Sequence, residues 1–200
     1  MTKSITDPLG EPKDLIDHYL KKWDDNEGFT AKENALIKLF HKSYPNNTNI
    51  EEVLIKAAAL NNFYGTNIYN IYTVAKHITD IPNIDKRLFD GDETLVNEIA
   101  KVVVNEKGDI KNFYSFATKY CSHHNAIAFP IYDIYVQKVL NYYKRQSNFE
   151  KYTNNELRTY LIFKRVIRNF RESYDLQEYS IKQIDMFLWG LGRDKFPNKY

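Results

Sequence analysis

Several residue types are scarce in this sequence, and each shortage excludes a kind of functional site. Its 200 residues include one cysteine, Cys121, and seven glycines. One cysteine rules out an internal disulfide and a cysteine-rich metal centre. The glycines form no phosphate-binding loop, and neither Gly-x-Ser-x-Gly nor His-Glu-x-x-His occurs. The sequence therefore indicates no small-molecule cofactor, and it argues against nucleotide-hydrolysing and serine-hydrolase activities.

The two histidines near Cys121 do not indicate a metal site either. His123 and His124 are adjacent in sequence, and adjacent side chains on a helix point in diverging directions. A polar turn after a helix is more typical of a C-terminal cap, where a protonated histidine suits the helix dipole. We expect no metal site, and we keep both histidines as candidates for lining a pocket.

Long apolar runs are also missing. No segment approaches the roughly 18 residues needed to span a bilayer, and residues 1–15 lack the apolar centre of a signal peptide. The sequence therefore predicts a cytoplasmic protein without a membrane partner.

Aromatic residues, by contrast, are abundant. Tyrosine occurs 16 times and phenylalanine 12 times in a chain that is 43% hydrophobic and 27% charged. This balance is typical of a globular chain with a real core. Tyrosine suits half-wet grooves and base stacking, although an AT-rich genome explains its frequency equally well.

Helix signals recur along the whole chain, whereas alternating strand patterns do not. Capping boxes are predicted at Thr30–Glu33, Thr48–Glu51, Thr153–Glu156 and Ser180–Gln183, each followed by helical apolar spacing. Further helices are expected at about 12–25, 67–79, 93–105, 110–122 and 131–146. The connections are short and polar. We therefore predict one all-α domain of eight to ten helices over residues 11–200, with residues 1–10 frayed and the last residues docked.

Positive charge is concentrated in the last third of the chain. From Lys138 to Arg171 nine lysines and arginines face only Glu150 and Glu156, a local net charge of +7. This asymmetry favours an acidic partner such as a phosphate backbone, or it marks a solvated helix face. The candidate phosphate contacts are Lys144, Arg145, Lys164, Arg165, Arg168 and Arg171.

The segment from Phe113 to Val136 carries the strongest candidates for chemistry. An aromatic helix bearing Lys119 is followed by a polar turn and then by Pro130-Ile131-Tyr132-Asp133, which opens a second helix. A lysine and an aspartate placed in this way can form a catalytic pair. The structural alternative is a surface lysine together with an aspartate that stabilises a helix N-terminus.

A polar junction between two helices is the second candidate region. It contains Asn61, Asn62, Thr66 and Asn67 beside Tyr64. Polar groups of this kind are costly to bury unless they are hydrogen-bonded. They either cap the helices or face a ligand.

Together these two segments resemble the helix-hairpin-helix DNA glycosylase superfamily, and most closely its 8-oxoguanine glycosylase-like branch. The resemblance covers roughly residues 50–146. The family's Pro-Val-Asp step is matched by Pro130-Ile131-Tyr132-Asp133, with Tyr132 as an additional residue. The family's Gly-x-Gly hairpin, which holds a DNA phosphate, is matched by a segment with one glycine, Gly108.

The resemblance implies an activity and a set of roles. A damaged or modified base would be flipped out of DNA and excised. Asp133 would stabilise the sugar transition state or deprotonate a nucleophile, and Lys119 or Lys111 would be the nucleophile. Contacts to the base would come from Asn62, Tyr64, Thr66, Asn67, His123, His124 and Tyr132. Two alternatives stay open, namely a non-catalytic nucleic-acid-binding module and a helical protein-interaction domain.

Overall fold

Helices make up most of the structure, a computed structural model that describes residues 9–197. Within this range ten α-helices and one small antiparallel sheet occur, which confirms the all-α class. In chain order the helices are α1 (Pro12–Asp24), α2 (Glu27–Lys38), α3 (Ile50–Tyr64), α4 (Ile71–Thr79), α5 (Ile84–Asp90), α6 (Thr94–Ala100), α7 (Tyr114–His124), α8 (Ile134–Ser147), α9 (Tyr160–Ser173) and α10 (Ile181–Lys195). The short α5 is absent from the sequence prediction.

The predicted capping boxes give a mixed result. The Ser180–Gln183 box is present in full at the start of α10. Thr153 and Glu156 also exchange hydrogen bonds, but they open a single 3₁₀ turn (Glu156–Arg158), and α9 begins only at Tyr160. The predictions of capping boxes at Thr30–Glu33 and Thr48–Glu51 were wrong, because an asparagine caps each of these helices instead.

Asparagine takes these positions because its short side-chain carbonyl reaches the first free N–H groups of a helix. Asn26 caps α2 by accepting from the N–H of Phe29, which leaves Thr30 inside the helix. Asn49 caps α3 by accepting from the N–H of Glu52, so that the start lies one residue beyond Thr48.

A β-hairpin replaces the predicted helical ends near residue 105. Strand β1 (Lys101–Val103) pairs antiparallel with β2 (Ile110–Asn112). The prediction of helices through 93–105 and from 110 was wrong here. Asn105 sets the turn, because its side-chain oxygen accepts the N–H groups of Lys107 and Asp109. The hairpin delivers the chain directly to the first turn of α7.

Helix α7 lies at the centre of the core. Nine of its eleven residues are buried, with Phe116 and Tyr120 among the largest fully enclosed side chains. A helix that is buried all round is surrounded by other elements, and α7 packs against α3 and α6. Among the helices of residues 9–197, none combines the length and the hydropathy needed to cross a bilayer.

Both described ends of the chain are docked. Leu9 is buried and donates its N–H to the Tyr142 hydroxyl, and the Gly10 carbonyl accepts from Tyr143. The predicted frayed segment therefore does not include these two residues, and residues 1–8 lie outside the described range. At the other end α10 continues to Lys195, and the Phe196 carbonyl accepts from Lys138. Tyr200, predicted to belong to the docked tail, lies outside the described residues.

Candidate active site

Lys119 is a buried lysine in the middle of α7, with 2% of its surface exposed. Its Nζ donates to the Ser115 Oγ at 2.6 Å and to the Tyr132 carbonyl at 3.4 Å, and it lies 3.3 Å from the Asp133 Oδ2. Burial lowers the pKa of Lys119, and the Asp133 carboxylate opposes that effect. The lysine is therefore not the surface residue of the structural alternative.

Asp133 serves two neighbours at once. It is the N-cap of α8, where its Oδ1 accepts the N–H of Tyr135 at 2.9 Å. Its Oδ2 faces Lys119. The capping bond fixes the carboxylate at the N-terminus of α8. The side chain is 20% exposed, so it stands at the boundary between the core and solvent.

The extended chain before Asp133 is held by hydrogen bonds to two other elements. Pro130 lacks an N–H and disfavours a helix at the residue before it. The N–H of Ile131 donates to the Asp185 Oδ2, and the N–H of Tyr132 donates to the Thr118 Oγ1. These bonds fix the segment between α7 and α10. They explain how an apolar-proline step can place an aspartate beside a lysine 14 positions earlier.

Lys119 and Asp133 open onto a largely apolar cavity of about 110 Å³. An engineered apolar cavity of about 150 Å³ holds a benzene ring, so this space is on the scale of one planar ring. Residues from α1, α2, α3, α7, α8 and α10 surround it. The lining consists of Trp23, Phe29, Lys32, Glu33, Leu36, Phe63, Tyr64, Lys119, Ile131, Asp133, Val136, Lys182, Asp185, Met186 and Trp189.

Asp185 is a second carboxyl group in this cavity. Burial raises its pKa to about 8, against the opposing effects of the Ile131 N–H and of Lys182 and Lys119. At neutral pH the group is therefore mainly protonated. Its Oδ2 is occupied by Ile131, whereas its Oδ1 is buried and has no hydrogen-bond partner among the described residues. An unpaired buried oxygen is costly, and a bound ligand would supply the missing hydrogen bond.

Three aromatic rings form one wall of the cavity. Trp189 on α10 contacts Trp23 and Phe29 edge-on, with ring centroids 5.4 and 5.3 Å apart. The Arg193 guanidinium lies over both Phe29 and Trp189, at 5.1 and 5.2 Å. Edge-to-face rings supported by a cation make a rigid apolar wall on this side of the cavity.

Tyr64 connects the cavity to His123. The Tyr64 ring lies 5.3 Å from the Lys119 Nζ, and its hydroxyl is 2.9 Å from the His123 Nε2. Of these two predicted base contacts, Tyr64 lines the cavity and His123 does not. Burial lowers the pKa of His123 to about 3, so the imidazole is neutral.

His124 belongs to a separate buried network. Its Nε2 lies 3.1 Å from the Asn47 Oδ1, which also accepts from Lys56 at 2.7 Å and from the Tyr120 hydroxyl at 2.5 Å. Asp85 in turn accepts from the Asn47 side-chain amide. None of these residues lines the cavity, so His124 is not placed as a base contact would be.

The predicted junction residues build a turn. The Asn61 Oδ1 accepts from the Thr66 hydroxyl and from the N–H of Ile68. Asn67 is exposed and takes a left-handed conformation with φ of 56°. Asn62 is exposed as well. None of the predicted contacts Asn62, Thr66 and Asn67 lines the cavity.

Lys111 and Tyr132 also differ from their predicted positions. Lys111 is exposed on β2, opposite Val102, and it does not line the cavity. The Tyr132 ring packs against Tyr114 and Phe163, and its hydroxyl donates to the Gln137 Oε1. Only the Tyr132 backbone contributes to the site, through the carbonyl that faces Lys119.

The basic residues of α8 and α9 are mostly engaged within the protein. Lys164 pairs with Glu93, Arg165 pairs with Glu150, and Arg171 donates to the Leu176 and Gln177 carbonyls. Lys144 donates to the Tyr152 carbonyl, and Arg145 and Arg168 are exposed. The α9 residues Lys164, Arg165, Arg168 and Arg171 line a second groove of about 390 Å³, which also includes Pro130. Pro130 and Ile131 are consecutive residues of one extended segment, so this groove and the cavity lie on its two sides.

Sequence reasoning missed Asp185 and Trp189. One signal was available, because Asp185 directly follows Ile184 and precedes Phe187 and Leu188 within the apolar repeat of α10. A carboxylate inside a buried stripe indicates a function. Trp189 carried no comparable signal. Among residues 9–197, no group of three or more histidine, cysteine, aspartate and glutamate side chains is arranged to hold a metal ion.

Comparison with known proteins gives a family but no activity. A family model described as an N-terminal domain, HI_0787_N, matches residues 15–128, which is more than half of the chain. The chain is also 47% identical over 150 residues to an uncharacterized protein of Haemophilus influenzae, covering 75% of this chain and 71% of the relative. No solved structure matches the chain. The matched residues include Lys119 and Tyr64, and the chain belongs to the HI_0787_N family.

Proposed function

We propose that this protein is a DNA glycosylase with lyase activity, which excises a damaged or modified base through a covalent lysine intermediate. The observation that carries the proposal is the buried Lys119, 3.3 Å from a helix-capping aspartate, at a cavity the size of one planar ring. The sequence resemblance of the segment that carries Lys119 and Asp133 to the helix-hairpin-helix glycosylases is a further argument for this proposal.

Lys119 has the properties of the nucleophile. An amine attacks only in its neutral form, and burial makes that form more accessible by lowering the pKa. A proton passes from Nζ to water, so that Asp133 remains a carboxylate. The nitrogen lone pair then bonds to the C1′ carbon of the sugar as the bond between C1′ and the base breaks. The base leaves with the bonding electron pair and takes up a proton from water. The bond between C1′ and the ring oxygen then breaks as the N–H proton passes to that oxygen, which gives a Schiff base with the opened sugar.

Asp133 acts on the charge that develops at the sugar. The glycosidic bond lengthens before the new bond forms, so positive charge accumulates on C1′ and the ring oxygen. A carboxylate fixed by the N–H of Tyr135 stabilises this charge without having to reorganise. The same carboxylate keeps the ammonium form of Lys119 in place before reaction.

Asp185 and the aromatic wall are suited to recognising the extruded base. A flipped base is held by hydrogen bonds to its polar edge and by stacking on side chains. The Asp185 Oδ1 supplies the buried polar contact, and the Trp189 and Phe29 rings supply apolar surface. Because Asp185 is mainly protonated at neutral pH, its hydroxyl can donate to a ring nitrogen or a carbonyl oxygen.

The test is borohydride trapping on DNA duplexes that carry an abasic site or 8-oxoguanine. We expect a covalent adduct with the wild type and none with Lys119→Gln. Lys111→Gln is the matched control, since it removes an exposed lysine outside the cavity and should leave the adduct unchanged. An adduct that survives Lys119→Gln would overturn the assignment of the nucleophile. No adduct with any of these duplexes would remove the lyase proposal.

A non-catalytic nucleic-acid-binding domain is the second candidate. It is favoured by the turn that precedes α7, which has the single glycine Gly108 and is organised by the Asn105 side chain. That turn does not reproduce the Gly-x-Gly grip on a phosphate. Salt-dependent binding to duplex DNA without base release or trapping would favour this candidate over the enzyme.

A further inference from the structure

We propose that His123 is a positioning residue for the reaction of Lys119. Through its hydrogen bond to the Tyr64 hydroxyl, it holds the tyrosine ring over the amine and keeps water away from it. This inference rests on the proposed function, and it concerns a residue that does not itself line the cavity.

The argument begins with the position of Tyr64. It is the last residue of α3, directly before Gly65, which ends the helix in a left-handed conformation with φ of 59°. The Tyr64 side chain leans back over the last turn of α3, which leaves the hydroxyl at the far end of the ring without a partner on its own helix. The hydroxyl therefore needs an anchor elsewhere, and the His123 Nε2 at 2.9 Å provides it.

Helix α7 fixes the spacing between the anchor and the nucleophile. Lys119 and His123 are four residues apart, so they lie one above the other on the same face of the helix. Tyr64 bridges them from α3, with its hydroxyl at the histidine and its ring 5.3 Å from the lysine Nζ. The ring cannot leave the amine while the hydroxyl stays bonded to a rigid helix.

His123 is suited to this role because it is uncharged and enclosed. It is 4% exposed, and its ring packs against Phe40 and Tyr64 at centroid distances of 5.4 and 5.7 Å. Burial and the neighbouring cations keep the imidazole neutral at physiological pH. The bond to Tyr64 is thus a permanent anchor and does not switch on or off near pH 7.

Two effects of the Tyr64 ring on Lys119 act in opposite directions. Contact with the ring face favours the ammonium form. Exclusion of water disfavours it, and full burial can shift a lysine pKa by up to about 3–5 units. Burial is the larger effect at Lys119, so loosening the ring should raise its pKa. The other charged groups that face the amine are the ones that line the cavity, Lys32, Glu33, Asp133, Lys182 and Asp185.

The experiment measures the amine directly and needs no DNA. Lys119 would be methylated with formaldehyde and cyanoborohydride over a range of pH and quantified by peptide mass spectrometry, with the exposed Lys111 as the internal reference. We expect the pH at which Lys119 methylation reaches half of its maximum (the half-point) to rise by about one pH unit in His123→Leu and Tyr64→Phe. His123→Gln, whose amide can still bond the hydroxyl, should lie near the wild type.

The controls separate positioning from general damage. His18→Gln changes an exposed histidine and should leave the profile unchanged. Tyr64→Phe keeps every carbon atom of the ring, so it carries the test if His123→Leu fails to fold. The proposal is overturned if folded His123→Leu or Tyr64→Phe gives the wild-type profile at Lys119. It is also overturned if the half-point falls.

A second readout links the anchor to the reaction. The pH optimum of borohydride trapping should move to higher pH in His123→Leu, because less neutral amine is present at pH 7. His123→Gln should restore the optimum. If the wild type forms no adduct at all, the proposed function fails, while the methylation profile still decides the role of His123.

Discussion

Two buried lysines in this protein have opposite surroundings. Lys56 on α3 is completely enclosed, and Lys119 on α7 is nearly so. Lys56 donates to two neutral oxygens, the Asn46 carbonyl and the Asn47 Oδ1, and it does not line the cavity. Lys119 faces a carboxylate and an open space. Both lysines lie within 6 Å of aromatic rings.

The comparison shows what burial alone does and does not provide. Burial lowers the pKa of Lys56 to about 8 and lowers that of Lys119 as well. A depressed pKa is therefore common to both residues and does not identify a nucleophile. What distinguishes Lys119 is access to a ligand-sized cavity and a carboxylate beside it. The following predictions test this division between a structural and a chemical lysine.

The largest effect is expected from Lys119→Gln. Removing the amine should reduce the rate of covalent trapping at least about 1,000-fold, because the proposed reaction depends on the amine that lies beside Asp133. The thermal midpoint should change little, since the replacement can still donate to the Ser115 Oγ. Trapping and calorimetry on the same preparation measure both quantities. A large loss of stability together with a small loss of trapping would mean that Lys119, like Lys56, has a structural role.

Lys56→Ala should show the reverse pattern. It leaves a cavity and an unsatisfied Asn46 carbonyl in the core, so we expect a loss of about 3 kcal/mol in the free energy of unfolding. Urea unfolding monitored by circular dichroism gives this value. The pH profile of Lys119 methylation should remain that of the wild type at temperatures where the variant is folded. A shifted profile would mean that the two lysines are coupled through α7.

The pH dependence of stability should test the cavity that Lys119 shares with Asp185. Asp185 has a pKa of about 8 in the folded protein and an ordinary value of 3.8. Between these two values the folded state keeps a proton that the unfolded state loses. The contribution of Asp185 to the free energy of unfolding is therefore full below about pH 4, and it falls by about 1.4 kcal/mol per pH unit up to pH 8.

Asp185→Asn removes that titration. The wild type should lose stability relative to this variant as the pH rises from 5 to 8, and the difference should level off above pH 8. Thermal midpoints at matched ionic strength measure the trend. Parallel curves for the two proteins would show that Asp185 is ionised in the folded state.

The smallest effect is expected from Tyr120→Phe. This change removes one of the three donors to the Asn47 Oδ1 and keeps the ring. Lys56 and His124 still satisfy that oxygen, so the expected loss is about 1 kcal/mol, a typical net value for one hydrogen bond. Urea unfolding resolves it. A loss greater than that of Lys56→Ala would place the centre of the network at Tyr120.

The sequence predicted the helical class and the segment that carries Lys119 and Asp133, because both depend on local patterns. Helical spacing and the step at Pro130 are read directly from neighbouring residues. The choice between Lys111 and Lys119 was not local, since it depends on a hairpin that puts Lys111 on an exposed strand. Asp185 entered the site only through tertiary contact with Ile131, 54 residues earlier. The partners of the two histidines were likewise set by packing, because His123 contacts Tyr64 and His124 contacts Asn47.

The double engagement of Asp133 means that folding and chemistry place different demands on one side chain. One of its oxygens serves the helix, a task that asparagine performs about as well. The other faces Lys119, where the proposed reaction would use its negative charge. Replacing a single oxygen atom by an amide nitrogen would thus keep the start of α8 and remove the charge beside the lysine. Under the proposed function, such a protein would hold an extruded base in its cavity without releasing it.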